Sequence, residues 1–465
     1  MPNTRSAFAE RLAALGAKLE NVTLAPSFPI VTLAIAIAAR LVWIGLVDTK
    51  PVSDFGWYYE QGLRIADGRG YSVDHDGFPL WVTGQPLPSP RPTAFWPVGY
   101  AGFLGVLFFL TGPLLAPLLS AKLANVAFQA ATAWLAARVA GRLYRSLLVE
   151  RLTLLLVAFA PNSIAYAGLT ATESWFTFLV CAGIALLVRA GARKDDSLSL
   201  ADSSQTAPLR WPMLLGAGVV FGLATLTKPQ IGFLPVLLLL MLRTERKRAL
   251  TEAVFVHAVA AGIVLPWTLR NYHAFGTPVA VSTNGWVNLL IGNLPGSWGR
   301  AGVMWNQELQ QIIDQHHDEL GWNGAAKTVV LHYLATHPWE ILASAPRKVF
   351  ALLAADVDGF GWSLAGAPEL ARARFWTPLR AIAEAYYLLG LAAFALLLAR
   401  LVRARPPKSE WLAPLVVGYF TAVYAVFFGG PRFHYPFLPW LYACAAVEFA
   451  RRFGQRAHTP AAPSS

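Results

Sequence analysis

The sequence is poor in charged residues, which make up 14% of its 465 positions. Soluble proteins carry roughly 25%, so this scarcity argues against a soluble globular enzyme. Hydrophobic residues make up 55% of the chain and the mean hydropathy is +0.46, a composition that excludes intrinsic disorder. Cysteine is rare as well. Cys181 and Cys444 both lie in apolar runs, and they provide neither a disulfide framework nor a zinc-binding spacing. A membrane is therefore the first environment to consider.

Apolar runs suited to crossing a membrane are abundant. A transmembrane helix needs about 20 mostly apolar residues. The candidate segments are 30–47, 119–137, 152–169, 174–188, 211–227, 230–242, 250–267, 381–400, 411–428 and 435–450. The first has a basic flank and no obvious cleavage site, which indicates an uncleaved helix rather than a secretory signal. We predict an all-α polytopic membrane protein with about ten transmembrane helices, in which 1–450 is one integral membrane domain and 451–465 is a cytoplasmic tail.

Two further apolar stretches, 95–118 and 335–355, are ambiguous. Cytoplasmic flanks of transmembrane helices carry an excess of Lys and Arg, and the arginines after 137 and at the end of 381–400 have this character. We therefore predict that 95–118 lies in the outer interface or re-enters the membrane. By the same rule, 335–355 lies along the outer surface or pairs with a second crossing. Both termini are then cytoplasmic.

This topology leaves two long outer segments, 48–118 (the first outer segment) and 268–380 (the second). The second carries helical patterns at about 303–319 and 325–336. The net charge of +12 and the pI of 9.8 would suggest nucleic acid as the partner of a soluble chain. Here the whole basic excess falls in cytoplasmic segments, so no nucleic-acid partner is predicted. No internal repeat is apparent, which counts against a secondary transporter built from inverted repeats.

An acidic residue stands at the start of the first outer segment. Ser53 or Asp54 is predicted to N-cap a helix that runs through Ile65 and ends at Gly68. One interpretation is that Asp54 is only this cap. The other is that Asp54 is a general base held just outside the membrane. Glu60 lies nearly two turns further along and is not an evident partner.

Four basic residues occur where charge is costly: Arg40, Lys228, Arg270 and Arg432. An ionisable group in or beside a bilayer core is by default a candidate functional residue. Lys228 precedes Pro229 between two apolar runs, and a lone ammonium at that depth needs an anion, such as a lipid phosphate. Each of the four alone suits a structural interfacial charge. Together at the outer face they would clamp a phosphate.

Other polar residues also admit two interpretations. Glu173 stands at the outer start of a helix, where a carboxylate either complements the helix dipole or serves a site. Asn288 and Asn293 lie in a stretch rich in Asn, Gly and Trp, which suits sugar binding or a tight-turn loop. His434 follows Arg432 at an outer helix junction.

The order of several short motifs resembles the GT-C superfamily of polytopic glycosyltransferases. Within it, the nearest branch is the bacterial group related to protein O-mannosyltransferases and the aminoarabinose lipid A transferase (family 39/83-like). The similar segments are Ser53-Asp54 with Tyr58, Tyr59 and Gly68-x-Gly70-Tyr71; Phe95-Trp96-Pro97-Val98-Gly99-Tyr100; Thr172-Glu173-Ser174; Thr227-Lys228-Pro229; Pro266-Trp267-x-x-Arg270-Asn271; Ser282-Thr283-Asn284-Gly285 with Asn288-Leu289-x-Ile291-Gly292-Asn293; and Arg432-Phe433-His434-x-Pro436.

The resemblance implies a GT-C-like fold and a donor sugar carried on a polyprenyl phosphate. It makes Asp54 the catalytic aspartate and Lys228 a contact of the carrier phosphate, with Arg270 and Arg432 also assigned to phosphate binding. The candidate supporting residues are Tyr58, Tyr59, Glu173, His434, Asn288 and Asn293.

No metal or other cofactor is predicted. Many relatives have a second acidic residue close to the first aspartate, whereas Phe55 follows Asp54 here, and this departure favours a metal-free reaction. The run Asp74-His75-Asp76 has oxygen ligands for a divalent cation. Three consecutive residues make a poor cage, so a solvated turn is the favoured interpretation.

The predicted reaction is an inverting glycosyl transfer at the periplasmic face of a bacterial inner membrane. Asp54 would take the proton of an acceptor hydroxyl, and the cations would stabilise the leaving polyprenyl phosphate, whose tail would lie along 95–118. The acceptor is a glycan, a lipid or a protein, and neither it nor the sugar follows from the sequence. A transporter or flippase for lipid-linked sugars, a polysaccharide polymerase or ligase, and a non-catalytic scaffold remain as alternatives.

Overall fold

The helical content is high throughout this computed structural model. It describes residues 23–75, 85–191, 210–293, 307–370, 374–404 and 406–453. The exception to the helical pattern is an antiparallel pair of short strands, β1 (Ser72–His75) and β2 (Pro86–Pro92), in the first outer segment. The prediction of a helical membrane protein is confirmed, and the small sheet is an addition that the sequence did not indicate.

Helices follow the predicted apolar segments. In chain order they are α1 (Phe28–Leu46), α2 (Ser53–Ala66), α3 (Gly99–Thr111), α4 (Pro117–Tyr144), α5 (Leu147–Ala158), α6 (Pro161–Tyr166), α7 (Thr172–Ala190), α8 (Trp211–Thr227), α9 (Leu234–Leu242), α10 (Arg246–Phe275), α11 (Gly285–Asn293), α12 (Gln307–Gln315), α13 (Glu319–Thr336), α14 (Pro338–Leu353), α15 (Asp358–Gly366), α16 (Trp376–Ala404), α17 (Leu412–Val426) and α18 (Leu438–Phe453). Short 3-10 helices lie at Pro229–Ile231, Pro368–Leu370, Lys408–Trp411 and Pro431–Phe437.

Five helices in the described part of the chain are long and apolar enough to cross a membrane. They are α1, α7, α10, α16 and the stretch Lys408–Val426 that contains α17. Three shorter apolar helical stretches, of 10–17 residues, are α3, α8 and Pro229–Leu242. Each of the ten predicted segments contains helix, but breaks shorten several of them. The figure of about ten spans therefore stays a prediction.

The segment predicted as one span at 152–169 is two helices. α5 ends at Ala158 and α6 begins at Pro161, because a proline cannot continue the hydrogen bonding of a helix. Arg40 of α1 donates from Nη1 to the Ala158 carbonyl oxygen at 2.8 Å and from Nε to Gln129 Oε1 at 2.5 Å. A cation at the C-terminal end of a helix is favoured by the helix dipole. Arg40 therefore stabilises the end of α5, and grouping it with phosphate-binding cations is wrong.

Both ambiguous stretches form helices that differ from a simple crossing, the first because it is short and the second because it bends. α3 has 13 residues, fewer than a crossing needs, and it packs against α2. α14 is followed by α15 after a break of at most 4 residues, with a bend of 68° between them. The pair is either a broken span or a re-entrant loop. The sequence did not indicate α15, and the two predicted placements of 335–355 stay predictions.

The helices of the second outer segment differ somewhat from the predicted patterns. α13 begins at Glu319, earlier than the predicted 325, because Asp318 Oδ1 caps it by accepting the Gly321 N–H at 2.7 Å. α12 covers only Gln307–Gln315 of the predicted 303–319, and residues 303–306 lie outside the described residues. The same is true of most of the predicted tail at 451–465, since α18 is described only to Phe453.

A buried carboxylate joins the two outer segments. Glu319 at the start of α13 accepts hydrogen bonds from Thr93 Oγ1 at 2.5 Å and from the Ala94 N–H at 2.8 Å. The Thr283 N–H adds a bond to the Ala94 carbonyl oxygen at 2.9 Å. These contacts fix the chain that leads from β2 into α3, and this chain forms part of the wall of the cavity described below.

Replacing Glu319 by alanine should lower the free energy of unfolding by about 1–3 kcal/mol, because it leaves the buried Ala94 N–H and Thr93 hydroxyl without their acceptor. Thermal unfolding of the purified protein in detergent measures this change. Glu369→Ala is the matched control, since Glu369 is exposed in the same outer segment. Equal stability of the two variants would contradict the proposed junction.

Candidate functional site

A cavity of about 1160 Å³ lies between the two outer segments and the ends of several membrane helices. Its polar lining residues are Ser53, Asp54, Thr172, Thr227, Lys228, Gln230, Ser282, Asn284, Asn288, Asp358 and Arg432. Its aromatic lining residues are Tyr58, Phe95, Trp96, Phe233, Trp362, Tyr419, Tyr424, Phe427 and Phe433. The volume is sufficient for a substrate larger than an ordinary small ligand.

One part of the wall is apolar and reaches the protein surface. Phe233 lines the cavity and is 78% exposed, and Val426 lines it and is 54% exposed. Phe233 immediately precedes α9, and Val426 ends α17. The cavity therefore has an apolar opening between these two helices. Exposed apolar side chains on a membrane protein contact lipid at no hydrophobic cost, so this opening suits contact with the bilayer.

Asp54 lies in the first turn of α2, but it does not cap the helix. The residue before the helix is Val52, and no side chain caps it, so the prediction of Ser53 or Asp54 as the N-cap is wrong. The Asp54 Oδ2 atom instead accepts a hydrogen bond from Arg432 Nη1 at 2.8 Å. The chain enters α2 through Ser53 at φ 53°, a left-handed conformation that is uncommon outside glycine. Gly68 (φ 75°) follows the helix as predicted.

Arg432 joins two carboxylates from different helices. Its Nη1 binds Asp54, and its Nε donates to Glu173 Oε1 at 3.1 Å. The guanidinium also lies 5.0 Å from the ring centroid of Phe55 and 5.4 Å from that of Phe433. Aromatic faces attract cations at such distances, so the orientation of Arg432 is fixed on several sides.

Lys228 is not a lone ammonium. Its Nζ donates to Glu173 Oε1 at 3.1 Å, which corrects the expectation of an ammonium without a partner in the chain. The expected helix break is present, because Lys228 is extended (φ -145°, ψ 98°) between α8 and the 3-10 turn at Pro229. Phe176 lies 5.5 Å from Nζ. The irregular backbone thus lines a cavity.

We call Asp54, Arg432, Glu173 and Lys228 the ionic network. It holds two carboxylates and two cations, so its formal charge is zero. The Glu173 side chain is 0% exposed, whereas those of Lys228, Arg432 and Asp54 are 11–16% exposed. Glu173 is therefore the buried member, and the other three reach the cavity. A single oxygen of Glu173 holds both cations at the cavity wall.

Two further predicted residues also line the cavity. Asn288 of α11 and Tyr58 of α2 are among its lining residues. Burial, supported by the negative charge of Asp54, raises the pKa of Tyr58 well above its usual range. The phenol therefore stays protonated and offers a hydrogen-bond donor rather than a base.

The structure places Arg270 outside the cavity lining. Its Nη1 donates to the Thr93 carbonyl oxygen at 2.8 Å and its Nη2 to the Tyr71 carbonyl oxygen at 2.6 Å. The guanidinium lies over the Trp267 ring at 4.7 Å. Arg270 thus fastens the first outer segment to α10, and this geometry does not support its assignment to phosphate binding.

The three remaining candidates also have structural partners away from the lining. Tyr59 packs against Phe108. His434 is fully buried and bonds to Asp356 Oδ1 at 3.0 Å and to the Leu352 carbonyl oxygen at 2.8 Å. Asn293 accepts a hydrogen bond from Lys348 Nζ at 2.6 Å. These residues hold the elements around the cavity in place, and they do not line the cavity themselves.

Sequence reasoning missed two lining residues on α15, Asp358 and Trp362. A signal was present, since Asp356-Val357-Asp358 follows an apolar stretch at the membrane boundary. An ionisable group beside a bilayer core is a candidate functional residue, and this argument applies to Asp358 as it does to Asp54. The stretch gave no separate prediction because it lacks an apolar run long enough to indicate a second crossing after 335–355.

A metal site is not evident in the described part of the chain, where no group of three His, Cys, Asp or Glu side chains is close enough to share an ion. Asp74 does not lie in a solvated turn, as favoured from sequence, but in β1, where it pairs with Arg64 at 2.9 Å. Asp76, the other acid of that run, lies outside the described residues.

Comparison with solved structures identifies the fold. The chain is similar to the archaeal oligosaccharyltransferase AglB from Archaeoglobus fulgidus, in complex with an inhibitory peptide and a dolichol-phosphate, with a TM-score of 0.52 and 15% identity over 94% of this chain and 52% of AglB. For the apo form of the Archaeoglobus fulgidus oligosaccharyltransferase the TM-score is 0.53 and the identity is 14%, over 93% of this chain and 52% of that structure. The chain thus spans about half the length of these structures.

ArnT from Cupriavidus metallidurans, bound to undecaprenyl phosphate, also matches, with a TM-score of 0.40 and 17% identity over 92% of this chain and 79% of ArnT. No protein-family profile matches the sequence. No curated protein matches it at a significant level. The fold of this chain is thus similar to that of the Archaeoglobus fulgidus oligosaccharyltransferase.

Replacing Glu173 by glutamine should destabilise the protein more than replacing Asp54 by asparagine. Glu173→Gln removes the buried counter-charge of two cations, and breaking a buried ion pair on one side costs about 3–5 kcal/mol. Asp54 is partly exposed, so water compensates for its loss. Unfolding of both variants in the same detergent compares them, and a larger loss for Asp54→Asn would refute the central role of Glu173.

Proposed function

We propose that this protein is a membrane glycosyltransferase that moves a sugar from a polyprenyl-phosphate donor to an acceptor hydroxyl, with inversion at the anomeric carbon. One observation carries the proposal: a single cavity holds a carboxylate, two cations and an apolar opening toward the membrane. The carboxylate suits proton removal, the cations suit a phosphate, and the opening suits a lipid tail. The GT-C fold is consistent with this combination.

Lys228 and Arg432 are the proposed phosphate contacts. Both line the cavity, and both are held there by Glu173. As the bond from the sugar to the phosphate breaks, negative charge develops on the leaving phosphate. Cations fixed in advance, in a site with little water, stabilise such charge strongly. The guanidinium of Arg432 can also bind two phosphate oxygens side by side.

The lipid part of the donor is proposed to enter between α9 and α17. Phe233, Val426 and Phe427 line the cavity there, and a polyprenyl chain would meet apolar side chains on both sides. This placement replaces the earlier expectation that 95–118 seats the tail, since only residues 95–97 of that stretch line the cavity. AglB, whose fold is similar, was solved with a dolichol-phosphate, which belongs to the same class of lipid phosphates.

Asp54 is the proposed general base. A positioned base contributes about 10²–10⁴ in rate. In the structure the Asp54 carboxylate is paired with Arg432 at 2.8 Å. A donor phosphate competes for the same guanidinium, so its arrival would loosen the pair and free Asp54 to take the proton of the acceptor hydroxyl. The hydroxyl oxygen then attacks the anomeric carbon opposite the leaving phosphate.

The reaction is proposed to need no metal, because Lys228 and Arg432 supply the positive charge that a divalent ion would bring. We place the protein in a bacterial inner membrane with cytoplasmic termini and a periplasmic site, following the distribution of basic residues. The acceptor class remains a glycan, a lipid or a protein with a free hydroxyl, and membrane lipids surround the chain.

Asp54→Asn should lower turnover by about 10²-fold or more, the contribution of a general base, while donor binding persists. The purified protein is incubated with a panel of undecaprenyl-phosphate sugars, and sugar loss is followed by mass spectrometry. Glu60→Gln is the matched control, since Glu60 is an exposed acid on the same helix. Near-normal turnover of the Asp54 variant would exclude Asp54 as the base.

Lys228→Ala should weaken binding of undecaprenyl phosphate by about tenfold or more, the effect of losing roughly 1.4 kcal/mol of charge interaction. Lys228→Arg should retain part of the affinity because it keeps the charge. Binding to protein in lipid nanodiscs is measured by native mass spectrometry. The control is Lys50→Ala, which removes an exposed lysine between α1 and α2. Unchanged affinity in Lys228→Ala would make Lys228 purely structural.

A further inference from the structure

The cavity holds a carboxylate and an indole that the proposed reaction does not use. Asp358 and Trp362 are four residues apart on α15, and both line the cavity. Side chains four apart on a helix share one face. α15 therefore presents an acid and an aromatic ring together, next to the ionic network.

Asp54 is paired with the Arg432 guanidinium, whereas the Asp358 carboxylate keeps room for a ligand. It accepts a hydrogen bond from the backbone N–H of Arg432. In the described parts of the chain, the ion pairs of the network involve Asp54 and Glu173 but not Asp358. An ionised carboxylate accepts about four hydrogen bonds, so Asp358 keeps acceptor positions for groups inside the cavity.

Trp362 is fixed relative to Arg432 through one intervening ring. Its indole packs edge-to-face against Phe55, with centroids 5.1 Å apart and planes at 72°. Phe55 also lies against the Arg432 guanidinium, at 5.0 Å. Trp362 therefore packs against a ring that itself contacts the proposed phosphate-binding cation.

We propose that Asp358 and Trp362 form a subsite for a hydroxyl-bearing sugar ring. Carboxylate oxygens accept hydrogen bonds from sugar hydroxyls, and an aromatic face packs against the apolar C–H face of the ring. The adjacent positive charge of Arg432 disfavours a cationic ligand at the same place. The assignment rests on the proposed function for the source of the ring, which is either the donor sugar or a glycan acceptor.

Binding of free sugars tests the subsite without a lipid-linked ligand. Methyl hexosides and methyl pentosides are added to the full chain in nanodiscs, and binding is followed by saturation-transfer NMR. Asp358→Asn and Trp362→Ala should each weaken the affinity by about tenfold or more, and Trp362→Phe should retain part of it. Glu369→Gln and Trp339→Ala, an exposed acid and an exposed indole from the same outer segment, should bind as the unmodified protein does.

The proposal is overturned if the unmodified protein binds none of these glycosides, or if the Asp358 and Trp362 variants bind them normally. A thermal unfolding curve for each variant separates lost binding from lost folding. If Asp358→Asn removes turnover but leaves glycoside affinity intact, Asp358 acts on the proton and not on the sugar, which also refutes the subsite.

A second arm distinguishes the source of the ring. The variants are compared for undecaprenyl phosphate with and without an attached hexose. A tenfold loss confined to the hexose-bearing lipid assigns the subsite to the donor sugar, and an unchanged affinity for both lipids assigns it to the acceptor. Failure of the unmodified protein to bind either lipid would contradict the proposed function, while the glycoside experiment still decides the subsite.

Discussion

The arrangement of the site depends on one buried carboxylate oxygen. Glu173 Oε1 lies 3.1 Å from Lys228 Nζ and 3.1 Å from Arg432 Nε. Two neighbouring cations that are largely buried would repel each other and carry a large desolvation cost. Their shared partner offsets both effects and draws α7, the break after α8 and the 3-10 turn at Pro431–Phe437 to one point. Without it, Lys228 would lose the carboxylate that it pairs with, and Arg432 would keep only its pair with Asp54.

The neutrality of the ionic network affects how tightly a phosphate would bind to its two cations. A site with two free cations would hold any phosphate tightly and would release a product phosphate slowly. Here each cation is already paired, so a phosphate gains only the difference between its own contacts and those with Glu173 and Asp54. A balance of this kind favours exchange of charged ligands over retention. Asp54, the more exposed of the two acids, is the partner that can be displaced.

The sequence predicted the fold well, because long apolar runs and the placement of Lys and Arg are strong local signals. It also predicted Asp54, Lys228 and Arg432 as site residues, since charge within or beside apolar runs is conspicuous, and all three line one cavity. It could not show that Glu173 pairs with Lys228, because 55 residues separate them and pairing depends on how helices pack. Arg270 looked equivalent to Arg432 for the same reason, yet it binds backbone carbonyl oxygens. α15 was missed because its bend after α14 breaks the expected apolar run.

The opening at Phe233 and Val426 bears on how such a protein meets its ligand. A donor that enters through it never passes through bulk water, so its search is two-dimensional. The effective concentration is then a mole fraction within the bilayer, and added detergent or inert lipid dilutes the donor even when its molarity is constant. Rates measured at one lipid-to-protein ratio would therefore not transfer to another, and the composition of the membrane itself would act as a control on the rate.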